Sequence, residues 1–169
     1  MKKIIHLTLF LAVVAALAGG ALAWANNMTA PVIAANNEKA EKQVLLEMYP
    51  DAKVEDFHIV DYTSNDPSIN KIYEYNDNYI FNMSVKGYKD GTTFLVSINK
   101  KDGVIDAFKA ISNGDTKGLG SKIMDAPFAE SVTGKEAGGE LDTISGATVT
   151  STPVVEGIHK AAEIVATLE

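Results

Sequence analysis

The stretch from Tyr79 to Ile111 constrains the fold most. Tyr79, Phe81, Met83 and Val85 alternate with Ile80, Asn82 and Ser84, the period-two pattern of a strand. Lys89-Asp90-Gly91 turns the chain and Thr92 to Asn99 runs back. Lys100-Lys101-Asp102-Gly103 turns it again before Val104 to Ile111. Asp-Gly turns between such short runs leave no length for crossover helices, so these strands form an antiparallel meander. Val54 to Tyr62 and Ile69 to Tyr75 also have strand composition, with the turn-rich Thr63-Ser64-Asn65-Asp66-Pro67 between them.

Helical periodicity flanks this region. From Glu38 to Met48, the residues Ala40, Val44, Leu45 and Met48 share one face, and Tyr49-Pro50-Asp51 stops the run. Near the C-terminus, Val154, Val155, Ile158, Ala161, Ala162, Val165 and Leu168 share another face. Pro153 is expected at the first position of that helix, with Thr152 as its cap. The predicted fold is therefore α+β, a mostly antiparallel sheet with packed helices, preceded by one N-terminal transmembrane helix.

That first helix is read from the run Ile4 to Ala25, which follows Lys2 and Lys3 and is interrupted only by His6, Thr8 and Gly19-Gly20. As a helix it is about 33 Å long, enough to cross a hydrocarbon core of about 30 Å. The basic pair keeps the N-terminus in the cytoplasm and sends the rest across. A cleaved signal peptide is the rival reading, because Ala21-Leu22-Ala23 and Ala23-Trp24-Ala25 both have the small-x-small pattern. The length of the run favours a retained anchor. The expected organisation is an anchor (or signal peptide) over 1–26, a linker broken at Pro31 plus a connecting helix over 27–50, and an extracytoplasmic domain over 51–169.

Composition narrows the chemistry. A net charge of -7 argues against a nucleic-acid partner. All 15 basic residues are Lys, so a phosphate would have to be met by backbone N–H groups, hydroxyls, Lys or a covalent bond. With no Cys, thiolate metal sites and iron–sulfur ligation are excluded. His6, His58 and His159 are scattered, and no metal site is expected.

Two stretches remain as candidates for function. Ser112 to Ser121 is a loop carrying Gly114, Gly118 and Gly120 among hydroxyl and amide side chains. Asp142-Thr143-Ile144-Ser145-Gly146-Ala147-Thr148-Val149-Thr150 sets small and hydroxylated residues just ahead of the last helix. Gly146 and Ala147 put almost no bulk beside the Thr148 hydroxyl. The positive end of the helix would stabilise an anion held there, with no need for Arg.

Asp142 to Thr148 resembles the flavinylation motif of the FMN-binding domain family: Asp, two variable residues, Ser or Thr, then Gly-Ala-Thr. In that family a dedicated flavin transferase joins FMN, through its phosphate, to the last Thr of the motif. The resemblance implies that Thr148 is the FMN phosphoryl threonine, with Asp142, Ser145, Gly146 and Ala147 recognised by the transferase or shaping the site. An N-terminal helix followed by Asn27 to Ala34 is similar to the RnfG component of Rnf-type ion-translocating electron-transport complexes. The loop fits as well, since the family usually shows His-x-Glu-Thr-Pro-Gly-Leu-Gly there. This chain keeps Thr116, Gly118, Leu119 and Gly120, with Asn113, Asp115 and Lys117 at the changed positions.

The resemblance implies a membrane-anchored electron-transfer subunit with covalent FMN, a phosphoprotein in that sense, and not an enzyme on its own. Its partners would be the other subunits of the complex and, during maturation, the transferase. No catalytic residue is expected. Leu119 is expected against the ring face and Thr116 at its polar edge; Tyr88 or Phe128 stacking on the ring is the aromatic alternative, although both read first as core. The alternatives are a stand-alone extracytoplasmic flavoprotein and a sensory module that holds flavin non-covalently.

Overall fold

The computed structural model describes residues 2–62 and 66–168. The first three residues of the turn expected at 63–67 lie outside them. The chain divides into two compact units, Met1–Ala40 and Glu41–Glu169.

Helix α1 (Lys2–Met48) runs unbroken through Pro31, so the break expected there does not occur. A proline removes one backbone hydrogen bond, but Ala30, Ala34, Ala35, Lys39 and Ala40 around it favour helix. Within the first unit the large apolar side chains, including Leu7, Phe10, Leu17 and Trp24, are exposed. The helix is long and apolar enough to cross a membrane.

The second unit is a five-stranded antiparallel sheet with its strands in sequence order. They are β1 (His58–Ile59), β2 (Ile69–Tyr75), β3 (Asn78–Val85), β4 (Thr92–Asn99) and β5 (Ile105–Asn113). The predicted meander is present, with Phe81 opposite Val96 and Val96 opposite Phe108. The strand expected over Val54 to Tyr62 is reduced to β1, because Val54–Asp56 winds into a 3-10 turn. The Asp56 side chain closes that turn by accepting the Lys53 N–H at 2.8 Å.

After β5 come a 3-10 turn (Gly120–Met124), α2 (Ala126–Val132) and α3 (Thr148–Leu168). Alternation along β3 and β4 sends side chains to two cores. Phe81, Met83, Phe94 and Val96 pack with Val154, Ile158, Ala161 and Val165 of α3, and with Phe128 and Val132 of α2. Ile80 and Leu95 point the other way and pack with Leu45, Phe57 and Tyr73. A sheet covered on both faces explains why Ile80 and Phe81, neighbours in sequence, are both fully buried.

Gly157 marks where α3 presses hardest on the sheet: a Cβ there would stand 3.1 Å from Phe94 Cζ and 3.4 Å from Val85 Cγ1. Gly157→Val therefore overpacks the core, and is expected to lower unfolding free energy by about 1–3 kcal/mol in urea denaturation.

Candidate functional site

Helix α3 begins at Thr148, five residues ahead of the predicted Thr152–Pro153 start, and Pro153 lies inside it. The start is set by the turn before it. The Ala147 N–H donates to the Ile144 carbonyl at 2.9 Å, and Gly146 sits at φ 78°, a conformation open to glycine. The fully buried Ser151 then joins turn to helix, its Oγ accepting the Ile144 N–H at 2.9 Å and donating to the Ala147 carbonyl at 3.1 Å. With the first turn fixed this way, the helix tolerates the missing N–H of Pro153. Thr148 is thus the first helical residue. Its N–H and that of Val149 have no intrahelical acceptor and point out of the positive end of the helix.

Thr148 is exposed and lines a cavity of about 350 Å3. Gly146, Ala147 and Thr148 form one wall, Thr116, Leu119 and Gly120 another, and Tyr88 stands at the rim. Six of the residues singled out by sequence therefore meet at one place. Gly118 and Ser145 lie outside the cavity wall, both exposed. Gly118 instead shapes the loop at φ 81°, its N–H donating to Ser121 Oγ at 2.9 Å. Asp142 faces elsewhere: it is exposed, pairs with Lys135 at 2.9 Å and borders a second cavity with Thr143, Ile144 and Phe128.

The core reading of Tyr88 is corrected, since its side chain is 73% exposed beside the cavity, where the aromatic alternative would need it; Phe128 is in the core as expected. The omission is Asp115. Its Oδ2 accepts the Thr150 hydroxyl at 2.6 Å, and its Oδ1 accepts the N–H groups of Lys89 at 2.7 Å and Asp90 at 3.3 Å. These bonds join the glycine loop, the β3–β4 connection and α3. Nothing in the sequence puts 89, 115 and 150 side by side, and the one local hint is the Asn113-Gly114-Asp115 turn, where Asn113 Oδ1 accepts the Asp115 N–H at 3.0 Å.

Burial pushes the Asp115 carboxyl up, but the Thr150 hydroxyl and the N–H groups of Lys89, Tyr88 and Asp90 outweigh it and take the pKa down to about 2. A carboxyl held below its unfolded value of about 3.9 adds stability that is complete above pH 4 and lost as pH falls toward 2. Melting temperature should drop across that interval, and Thr150→Val should make the drop shallower.

The cavity fits a flavin nucleotide. Its volume lies in the range of small-molecule clefts, about 300–1,000 Å3. Tyr88 and Leu119, the latter 51% exposed, offer flat and aliphatic surface to a ring. The first turn of α3 offers N–H groups to a phosphate in a chain with no Arg. Among the described residues, no group of His, Cys, Asp and Glu could hold a metal ion.

Fold and cavity together define a small α+β domain with an open cleft at the start of its last helix. Residues 87–163 match the FMN-binding domain family, and residues 1–48 match the RnfG N-terminal region. The chain is also 26% identical to the G component of the ion-translocating oxidoreductase complex of Methanosarcina acetivorans, with 99% of this chain and 97% of that protein covered. Domain matches and full-length similarity agree that the chain resembles RnfG-type FMN-binding proteins.

Proposed function

We propose that this protein is a membrane-anchored electron-transfer subunit carrying FMN as a phosphoester on Thr148, within an ion-translocating oxidoreductase complex. The observation that carries the attachment reading is the contrast among the hydroxyls of the motif. Thr150 is 2% exposed and bound to Asp115, and Ser151 is fully buried in the turn. Thr143 borders the second cavity and Ser145 lies outside the first. Thr148 alone is exposed on the wall of the first cavity, at the positive end of a helix.

Attachment forms one bond, from Thr148 Oγ1 to phosphorus, and breaks the bond from that phosphorus to its leaving group. Condensation with free FMN would release water and runs uphill in water, so the donor is an activated flavin dinucleotide. The nucleoside monophosphate leaves with the hydroxyl proton, and a flavin transferase supplies the catalysis.

Once bound, the flavin supplies reversible electron uptake at its ring. The protein orients and shields it. The N–H groups of Thr148 and Val149 would offset the phosphodiester charge, Tyr88 and Leu119 would shield the ring, and Thr116 would offer its hydroxyl to the polar edge. Asp142 and Ser145, outside the cavity, suit recognition by the transferase.

Lys2 and Lys3 ahead of the apolar helix favour a cytoplasmic N-terminus and a domain on the outer side, and the length of the apolar run favours a retained anchor. Partners are then the neighbouring subunits of the complex. When the full chain is expressed with a flavin transferase and precipitated in acid, the yellow colour is expected to stay in the protein pellet. Colour released wholly to the supernatant would favour the non-covalent sensory reading.

A further inference from the structure

Asp115 is not needed for the chemistry of attachment, yet the chain gives up side chains to make room for it. A Cβ at Gly87 would come 2.0 Å from Asp115 Oδ2. One at Gly120 would come 2.6 Å from Asp115 Cβ and 2.6 Å from Thr150 Oγ1. The carboxylate is thus clamped between two glycines while its oxygens hold Thr150, Lys89 and Asp90.

We propose that Asp115 is a positioning residue for flavin attachment, holding the first turn of α3 and the Tyr88 connection so that the Thr148 hydroxyl faces the cavity. The inference rests on the attachment reading above. Thr150 lies in the first turn of α3, two residues after Thr148, so fixing its side chain fixes the rotation of that turn. Lys89 and Asp90 directly follow Tyr88, so holding their N–H groups holds the rim of the cavity. One carboxylate therefore sets both walls relative to the nucleophile. The bonds made in the reaction are unchanged; Asp115 acts on where Thr148 Oγ1 stands before it attacks. A displacement of that atom by about 1 Å costs up to about 100-fold in rate.

The test uses the purified full chain, a flavin transferase and a flavin dinucleotide, with attachment rate read by in-gel flavin fluorescence. A circular dichroism melt of the flavin-free protein checks folding. Asp115→Ala is expected to fold and to be loaded at least about tenfold more slowly. Asp115→Asn, whose Oδ1 still accepts from Lys89 and Asp90 and whose Nδ2–H can donate to Thr150 Oγ1, is expected to recover most of the rate. Should Asp115→Ala fail to fold, Thr150→Val decides, because it leaves the loop bonds in place; slow loading supports the proposal and wild-type loading overturns it. A folded Asp115→Ala loaded at the wild-type rate overturns it, as does an Asn variant as slow as the Ala variant. Thr148→Ala serves as the control: fluorescence that survives in it refutes the attachment reading itself, independently of Asp115.

Discussion

Thr148→Ala is expected to yield a folded protein with no covalent flavin. Loading should fall below detection, because the substitution removes the one motif hydroxyl that is exposed on the cavity wall among the described residues. Folding should hardly change. The Thr148 side chain is exposed and its hydroxyl makes no hydrogen bond among the described residues, and an exposed substitution of that kind costs within about 0.5 kcal/mol. The turn before it is held by Ala147, Gly146 and Ser151, none of which is touched. Thr148→Ser keeps a nucleophilic oxygen and should retain partial loading. A denatured gel under ultraviolet light, with a circular dichroism melt alongside, reads both outcomes. The contrast with Thr150 sharpens the expectation. Thr150→Val removes a buried hydroxyl that donates to Asp115 and should lower stability, yet it leaves the Thr148 oxygen in place to be loaded, if slowly.

The largest expected loss of stability is at Glu41, far from the attachment chemistry. This carboxylate is 5% exposed between the end of α1 and the sheet. It accepts the Tyr73 hydroxyl at 2.8 Å and the Asn82 amide at 2.6 Å, and pairs with Lys71 at 3.2 Å. Glu41→Ala takes the acceptor from the Asn82 amide, which is itself buried, and leaves a void in the polar layer. Breaking such a set from one side costs about 3–5 kcal/mol. For a domain of this size that is a fall in melting temperature of roughly 10–20 °C. Lys71 is 39% exposed and can turn to water, so Lys71→Ala should cost no more than about 1 kcal/mol. Equal losses from the two substitutions would mean that the ion pair, rather than the buried hydrogen bonds, carries the effect. Flavin attachment should survive Glu41→Ala below its melting temperature.

Local patterns were legible where the chain decides its structure locally. The meander was readable because alternation and Asp-Gly turns lie within the segment they organise. So was the buried face of α3, whose apolar spacing persists from Val154 to Leu168. Where periodicity does not carry the deciding contact, the reading failed. The start of α3 depends on Ser151 bonding back to Ile144, so Pro153 was mistaken for its first residue. Helix α2 is seven residues long, too short for a period to show. Pro31 read as a break, but the helix formers around it carry α1 through.

The site divides along the same line. Its backbone elements, the Gly-Leu-Gly loop and the Gly-Ala-Thr turn, were visible as small residues in two stretches, and their meeting at one cavity follows from the fold. The surroundings of Tyr88 and Asp115 were not visible. Their importance comes from neighbours on other segments, and a Tyr near a strand end reads as core unless the strand's partner is known. Asp142 fits the motif but faces Lys135 and the second cavity, so its motif position says nothing of cavity contact.

The most direct test is a peptide map of the flavin-loaded wild-type chain. Trypsin releases residues 136–160 as one peptide, because Lys135 and Lys160 bound a stretch without other basic cleavage sites. It carries Thr143, Ser145, Thr148, Thr150, Ser151 and Thr152 together. Fragmentation of that peptide is expected to place the flavin phosphate on Thr148 alone. The flavin on another hydroxyl, or an unmodified peptide from a yellow protein, would contradict the account.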